Sequence, residues 1–475
     1  MPLTLVTGPA NSAKAGEVLG AYADAAARGA VLVVPTAADA DHYARELAAD
    51  GVVLGSVATF AGLIGEIAGR VGFGARRLTA LQRERVLRRV VRAARFAVLQ
   101  RSAPAAGFIA AAGELIAELQ RALVTPERLQ QALAAWAAQD RRRGPYAGDL
   151  GSLYAAYRRE LDRLGAVDGE LFAWRALDAL RATPGRWGAD HVFFYGFDDL
   201  TALERDAIET LVRVVGARVT VSLTYEPDRA ALHARAEVVQ ALAPLAERVQ
   251  ALPALDEHYA PGARAALHQL ERHLFDAGEE PVEPVDPAGA VVLLEAGGER
   301  AEAELVAGEV LGLLRAGVPA EQIVVVYRSP ARVAPLVAQV FAEYGIELAA
   351  AVRLAFAHTP LGRAVRALAR CALDAGAPAT ELVDYLRAPG VLERIELADA
   401  LEATIRREGV RTAAAARDRL GWTLEELHAL AAAGDPAGEL ARQARRLFAA
   451  PHRRAASLLD ASEQLDARAL TTLLG

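Results

Sequence analysis

Residues 3–15, Leu-Thr-Leu-Val-Thr-Gly-Pro-Ala-Asn-Ser-Ala-Lys-Ala, decide the fold of the first part of this chain. The first five are an apolar run rich in β-branched residues, typical of a buried strand. Gly8 to Ala15 then has the layout of a phosphate-binding loop, G-x-x-x-x-G-K-[ST], and an alanine-rich helix follows. A strand, a loop and a helix in this order predict a doubly wound α/β domain with a parallel sheet.

The loop departs from an intact phosphate-binding loop at two positions. Ala13 stands where the second glycine belongs, and Ala15 replaces the hydroxyl that holds Mg²⁺. Lys14 is nevertheless the only lysine among 53 basic residues, and it falls where the motif requires one. The sequence therefore predicts a relic that has lost hydrolysis and could still hold a phosphate or sulfate. An ordinary strand–loop–helix without a ligand is the alternative.

Composition limits the class of protein. A chain of 475 residues with 53% hydrophobic residues predicts two to four folded domains. The net charge of −7 gives no overall attraction to nucleic acid, so any DNA contact must come from a local basic surface. A single cysteine, Cys371, and the lack of a long apolar run predict a cytoplasmic protein with no membrane association.

Strand and helix patterns alternate, stop and return along the chain. Further strands of the first sheet are predicted at 31–34, 52–54, 57–60, 191–195 and 218–223. Residues 76–187 show only helical spacing, which predicts a helical domain inserted into the α/β domain. A linker rich in proline and acid, residues 279–287, is followed by runs at 291–294 and 323–327 that predict strands of a second sheet.

The order of these segments resembles superfamily 1 helicases of the UvrD/Rep group. It is more similar still to the B subunit of AddAB-type helicase–nucleases and to their inactive relative RecC. The matching positions are Pro35-Thr36, Thr59-Phe60, Gly196-Phe197 with Leu200-Thr201 and Glu204, and Tyr327-Arg328. The resemblance runs from Leu3 to about Pro389 and rests on the shared order of short motifs.

The resemblance also shows which catalytic groups are missing. Tyr195 and Gly196 occupy the positions of the Asp and Glu that hold Mg²⁺ and orient water in active relatives, and neither residue can do that chemistry. Residues 222–227 lack the Gly-Asp and the phosphate-sensing Gln of a motor. The resemblance implies a vestigial nucleotide site made of Gly8, Ser12, Ala13, Lys14, Ala15, Tyr195, Gly196 and Arg328.

The implied architecture is α/β, with two RecA-like P-loop NTPase-type parallel-sheet domains and inserted all-helical domains. The expected domains are 1–75 with 188–280 (first RecA-like, 1A-like), 76–187 (helical, 1B-like), 288–374 (second RecA-like, 2A-like) and 375–475 (helical, 2B-like, incomplete). The nuclease of AddB-type subunits needs a lysine, and their iron–sulfur cluster needs four cysteines. We therefore expect a piece of a longer protein or a shortened relative, without nuclease or cluster.

The implied function is that of a non-hydrolysing subunit that binds or guides DNA for a partner in double-strand break processing and recombinational repair. The implied partners are an AddA-like helicase–nuclease subunit and DNA, as a single strand or a duplex end. No cofactor is expected, and binding of ATP with Mg²⁺ is left open. An active ATP-dependent DNA helicase and a protein-interaction scaffold without DNA contact are the alternatives.

Two groups of residues are predicted to touch DNA. The resemblance implies that Pro35, Thr36, Thr59 and Phe60 lie along the strand. Arginines crowd one predicted helix of the insertion at Arg85, Arg88, Arg89 and Arg92, where they could neutralise phosphates. A solvated arginine-rich face is the alternative for that helix.

Overall fold

Six parallel strands form the main sheet. The computed structural model describes residues 3–48, 55–105, 107–188, 190–275, 282–349, 356–449 and 461–474. The sheet strands are β1 (Leu3–Gly8), β2 (Val31–Val34), β3 (Ser56–Thr59), β6 (Val192–Phe194), β7 (Val219–Thr224) and β8 (Ala246–Ala251). Their order is β3-β2-β6-β7-β1-β8, and every neighbouring pair runs parallel.

Side chains alternate between the two faces of this sheet, and helices cover both faces. The inner strands are therefore buried at nearly every position, and β2 and β6 are apolar throughout. On one face Leu5, Val33 and Val221 join the core beneath helix α3 (Phe60–Val71). On the other face Leu32 and its neighbours pack beneath helix α1 (Lys14–Ala26). Further helices of this part of the chain are α2 (Ala37–Leu47), α9 (Ala202–Glu209), α10 (Ala236–Leu242) and α11 (Arg264–His273).

The α/β class with a RecA-like sheet and helical insertions is confirmed. The strands predicted near residues 3, 31, 57, 191 and 218 are present, whereas 52–54 lie outside the described residues. Strand β8 was not predicted. None of the residues in its sequence, Ala-Glu-Arg-Val-Gln-Ala, is buried, because the strand lies at the sheet edge, and it therefore carries no apolar run.

Five helices lie between β3 and β6 beyond α3. They are α4 (Ala80–Ala93), α5 (Phe108–Arg121), α6 (Pro126–Ala138), α7 (Gly144–Arg163) and α8 (Gly169–Ala182). The prediction that 76–187 is entirely helical was wrong in one detail, because β4 (Arg76–Arg77) and β5 (Ala166–Val167) form a short parallel ladder. Helix α8 packs against α3 and shares the core of the main sheet.

The chain divides into two compact units, residues 1–293 and 294–475. The helices of the second unit are α12 (Glu299–Arg315), α13 (Pro330–Glu343), α14 (Pro360–Leu373), α15 (Ala379–Leu386), α16 (Glu396–Glu408), α17 (Ala413–Arg417), α18 (Glu425–Ala432), α19 (Pro436–Ala449) and α20 (Ala461–Leu474). Helices α14 to α19 enclose a core centred on Leu368, Leu382 and Leu430. Across the described ranges, no helix is both long and apolar enough to cross a membrane.

The prediction of strands at 291–294 and 323–327 was wrong, because the structure assigns neither segment to a strand. Ile323 and Val325 pack against the core between α12 and α13, whereas Val324 and Val326 are 77% and 83% exposed. A parallel strand needs hydrogen-bonded neighbours and cover on both faces, and this segment has helices on one face only. The second RecA-like domain stays a prediction.

Candidate nucleotide and DNA sites

The loops that follow the six parallel strands all leave the same edge of the sheet, where ligands of open α/β sheets bind. This edge brings together the loop after β1 and Pro35-Thr36 after β2. It also holds Thr59-Phe60 after β3 and Tyr195-Gly196 after β6. Segments far apart in the sequence therefore form one surface. Arg328 lies in the second unit, where it is exposed.

The loop after β1 contains one alanine in a backbone conformation that favours glycine. Ala13 has a left-handed φ of 56°, a conformation that glycine adopts without strain and alanine does not. A Cβ at Gly8 would lie 2.5 Å from Ser12 Oγ and 2.8 Å from the carbonyl oxygen of Leu252, so the glycine there is required. Ala15 is part of helix α1 and brings no metal-binding oxygen.

Lys14 is turned into its own loop. Its ammonium donates to the carbonyl oxygen of Gly8 at 3.0 Å, to Ser12 Oγ at 3.1 Å and to the carbonyl oxygen of Pro9. Ser12 Oγ itself donates to Pro9 at 2.9 Å, which closes a small polar ring. Lys14 is buried. The cation that a working loop directs at the β- and γ-phosphates is here hydrogen-bonded to protein oxygens.

The charges around Lys14 are also paired among themselves. Arg229 and Glu271 are both nearly buried and their side chains lie 2.7 Å apart. Burial lowers the pKa of Lys14 to about 8, an effect that Glu271 partly opposes and Arg235 reinforces. Sequence reasoning missed the pair, because Arg229 lies in a loop after β7 and Glu271 lies in α11, 42 residues further along the chain.

Tyr195 and Gly196, which the resemblance aligns with the carboxylates of an active relative, directly follow β6. Tyr195 packs edge-on against Tyr43, with ring centroids 5.6 Å apart. Gly196 has φ +82° and a Cβ there would lie 3.5 Å from Pro35. The position therefore favours glycine for backbone reasons. Within the described residues no group of three or more His, Cys, Asp or Glu could hold a metal.

Two residues predicted to contact DNA, Thr36 and Thr59, cap helices of the protein itself. The hydroxyl of Thr36 caps α2 in a capping box with Asp39, and the hydroxyl of Thr59 caps α3. Phe60 is partly buried and lines a small cavity of about 240 Å³. Arg77 and Phe172 also line this cavity, with the guanidinium of Arg77 5.3 Å from the ring centre of Phe172.

The four arginines of α4 form one stripe, since positions 85, 88, 89 and 92 recur at helical spacing. All four are exposed. Arg88 lies 2.5 Å from Glu84 and Arg89 lies 3.5 Å from Glu160. Among the described residues, Arg85 and Arg92 have no carboxylate partner, so they are free to meet phosphates.

One known protein family matches the part of the chain that holds most of the sheet and the helical insertion. The family model described as "ADDB, N-terminal" matches residues 26–271, more than half of the chain. The chain belongs to this family. The match begins after Lys14, so membership in the AddB N-terminal family does not depend on the phosphate loop. No curated protein matches the chain.

AddB family membership assigns residues 26–271 to the N-terminal region of an AddB-like helicase–nuclease subunit, a type that acts in DNA repair. The match includes β2, β3, β6, β7 and β8 and the whole helical insertion. The resemblance to the B subunit of AddAB-type helicase–nucleases is therefore confirmed over this range, whereas the similarity to the UvrD/Rep group and to RecC stays a prediction.

Proposed function

We propose that this chain is a non-hydrolysing, helicase-like subunit that binds and guides DNA for an AddA-like partner during double-strand break processing. The observation that carries the proposal is the Lys14 ammonium, which is hydrogen-bonded to three oxygens of its own loop. Nucleotide binding would have to break those contacts and then proceed without a hydroxyl at Ala15 to hold Mg²⁺.

The DNA-binding half of the proposal rests on the stripe along α4. Arg85 and Arg92 offer unpaired positive charge, although the net charge of the chain is −7. Neutralising phosphates with arginine releases condensed counterions, which makes binding strongly dependent on salt. A stripe of this kind suits the backbone of a strand and reads no base sequence.

Phosphate release by the purified chain tests the first half. We expect no Mg²⁺-dependent release of phosphate from ATP, with or without single-stranded DNA. DNA-stimulated release that the Lys14→Ala variant abolishes would instead identify an active ATP-dependent helicase.

Binding of a labelled 20-nucleotide single strand tests the second half. Replacing Arg85 and Arg92 by Glu should weaken binding and reduce the slope of log affinity against log salt by about 1.4, roughly 0.7 for each phosphate contact. The matched control replaces Arg28 and Arg218, exposed arginines just before β2 and β7 at the opposite edge of the sheet. Equal, salt-insensitive behaviour of both double variants would support a scaffold without DNA contact.

A further inference from the structure

A groove of about 500 Å³ opens beside the carboxyl end of α4, within the first unit. Its floor is apolar and includes Val91, Phe96 and Ile109. Its rim is polar and includes Arg88, Arg92 and Gln100. An apolar floor under a cationic rim differs from the rest of the α4 stripe, which is a flat charged surface.

The far wall of this groove is held in place by one carboxylate. Asp149 of helix α7 accepts hydrogen bonds from the backbone N–H groups of Ala97 at 2.8 Å, Val98 at 2.8 Å and Leu99 at 3.0 Å. These residues join Phe96 to Gln100 in the segment that closes the groove. The wall is therefore fixed before any ligand arrives, which reduces the entropy lost on binding.

The aromatic floor is also preformed. The ring of Phe96 packs edge-on against Phe108, with centroids 6.0 Å apart and planes inclined by 62°. Phe96 is 8% exposed and lines the cavity, so a small part of this residue is open to an occupant of the groove. Nucleobases present a flat face, and stacking on aromatic side chains tolerates any base.

The arginines at the rim of the groove favour an occupant that carries a phosphate group. Arg92 has no carboxylate partner within the described ranges, and Arg88 is held only by the solvent-exposed Glu84. Surface ion pairs of this kind are weak, so a phosphate can replace Glu84 at little cost. Arg85 continues the same row one turn away and can meet the next phosphate.

We propose that this groove binds one nucleotide of single-stranded DNA, with the unstacked base on the floor formed by Val91, Phe96 and Ile109 and its phosphate on Arg88 and Arg92. The inference rests on the proposed DNA-guiding function and adds a base-accepting position to it. A base within an intact duplex is stacked on both sides and cannot enter, so the groove selects single strands.

The test compares a fluorescein-labelled 20-nucleotide oligothymidylate with an abasic strand of the same length. The wild-type chain should bind oligothymidylate roughly five- to a hundredfold more tightly, as expected for the stacking of one base. Ala105→Glu places a carboxylate on the groove wall and should weaken oligothymidylate binding roughly tenfold. Ala111→Glu is the matched control, because Ala111 is exposed on α5 and does not line the groove.

The Phe96→Leu variant is a second test of base stacking, because leucine keeps the floor apolar but removes the aromatic ring. It should lower the ratio of oligothymidylate to abasic affinity while thermal melting checks that the chain stays folded. Equal affinity of the wild type for both strands, or equal effects of Ala105→Glu and Ala111→Glu, would overturn the groove assignment and leave DNA guidance standing. Absence of any strand binding would remove both. Equal binding of decaglutamate and oligothymidylate would reassign the groove to an acidic peptide.

Discussion

Replacing Asp149 by Asn should loosen the segment that forms the groove wall. The carboxylate is 5% exposed and accepts three backbone N–H donors, at 2.8, 2.8 and 3.0 Å. An asparagine whose carbonyl oxygen replaces Oδ2 can keep the bonds from Val98 and Leu99, while its NH₂ group would face the N–H donor of Ala97. One charge-assisted hydrogen bond of about 1.5–3 kcal/mol is lost, and the other two weaken by about 1 kcal/mol each because their acceptor is no longer charged. With part of this regained from water, the expected loss of stability is roughly 3 kcal/mol.

The assay is urea unfolding of the wild type, Asp149→Asn and the control Asp140→Asn. Asp140 is exposed and accepts one backbone hydrogen bond, from Arg142 at 2.9 Å, so its replacement should cost about 1 kcal/mol or less. The Asp149 variant should also bind oligothymidylate more weakly. Removing a negative charge would by itself strengthen binding to DNA, so a weaker complex reports the disturbed groove.

The pH dependence gives an independent check. Burial disfavours the ionised form of Asp149, but the N–H groups of Leu99, Ala97 and Val98 outweigh burial and lower its pKa below the usual value of 3.8. A carboxyl with a depressed pKa in the folded state stabilises the protein above its unfolded pKa, and that stabilisation is lost as the pH falls through the folded pKa. The gap between wild type and Asp149→Asn should therefore be full at pH 7 and shrink below about pH 4. A gap near zero at pH 7, or one unchanged at pH 2.5, would refute the reasoning.

Three further predictions concern the loop and the core. Ala13→Gly removes the strain of an alanine with a left-handed φ of 56° and should raise the free energy of unfolding by roughly 1 kcal/mol. The control Ala15→Gly, inside α1, should lower the free energy of unfolding. A loss of stability in Ala13→Gly would contradict the strained loop. Gln120 is fully buried, and neither polar atom of its amide has a hydrogen-bond partner among the residues that the structure describes. Gln120→Met should therefore raise the melting temperature, while the same change at the exposed Gln139 should not; a lower melting temperature would point to a buried water on the amide. ATP with Mg²⁺ should leave the melting temperature of the wild type unchanged, because the Lys14 ammonium is already hydrogen-bonded; a nucleotide-dependent rise that Lys14→Met removes would count against that role.

The strongest sequence signals were local ones. Val31–Val34 and Val219–Thr224 read as buried strands because both faces of a parallel sheet are covered, and the structure places them there. Thr201 and Glu204, which were quoted only for the AddB resemblance, form a capping box at the beginning of α9 in the structure. The ordered motifs between Pro35 and Glu204 predicted the AddB resemblance, and the family match confirms it.

The same signals failed where a segment depended on its neighbours. The run at 323–327 has the composition of a strand, but composition cannot supply the hydrogen-bonded partners that would make it one. Strand β8 is the reverse case. Its sequence has little strand character, but pairing with β1 makes it a strand. Pairing energy comes from contacts between residues far apart in the chain, which a local pattern does not contain.

The sequence by itself determined the parallel α/β core, the helical insertion and the absence of a side-chain oxygen at Ala15 and Gly196, because each depends on residue type and spacing. Only the tertiary structure decided that the Lys14 ammonium is held by its own loop and that Arg229 pairs with Glu271. It also decided that Asp149 closes a groove beside the arginines of α4. Those features depend on the direction of side chains and on contacts between distant segments, which are fixed only when the chain has packed.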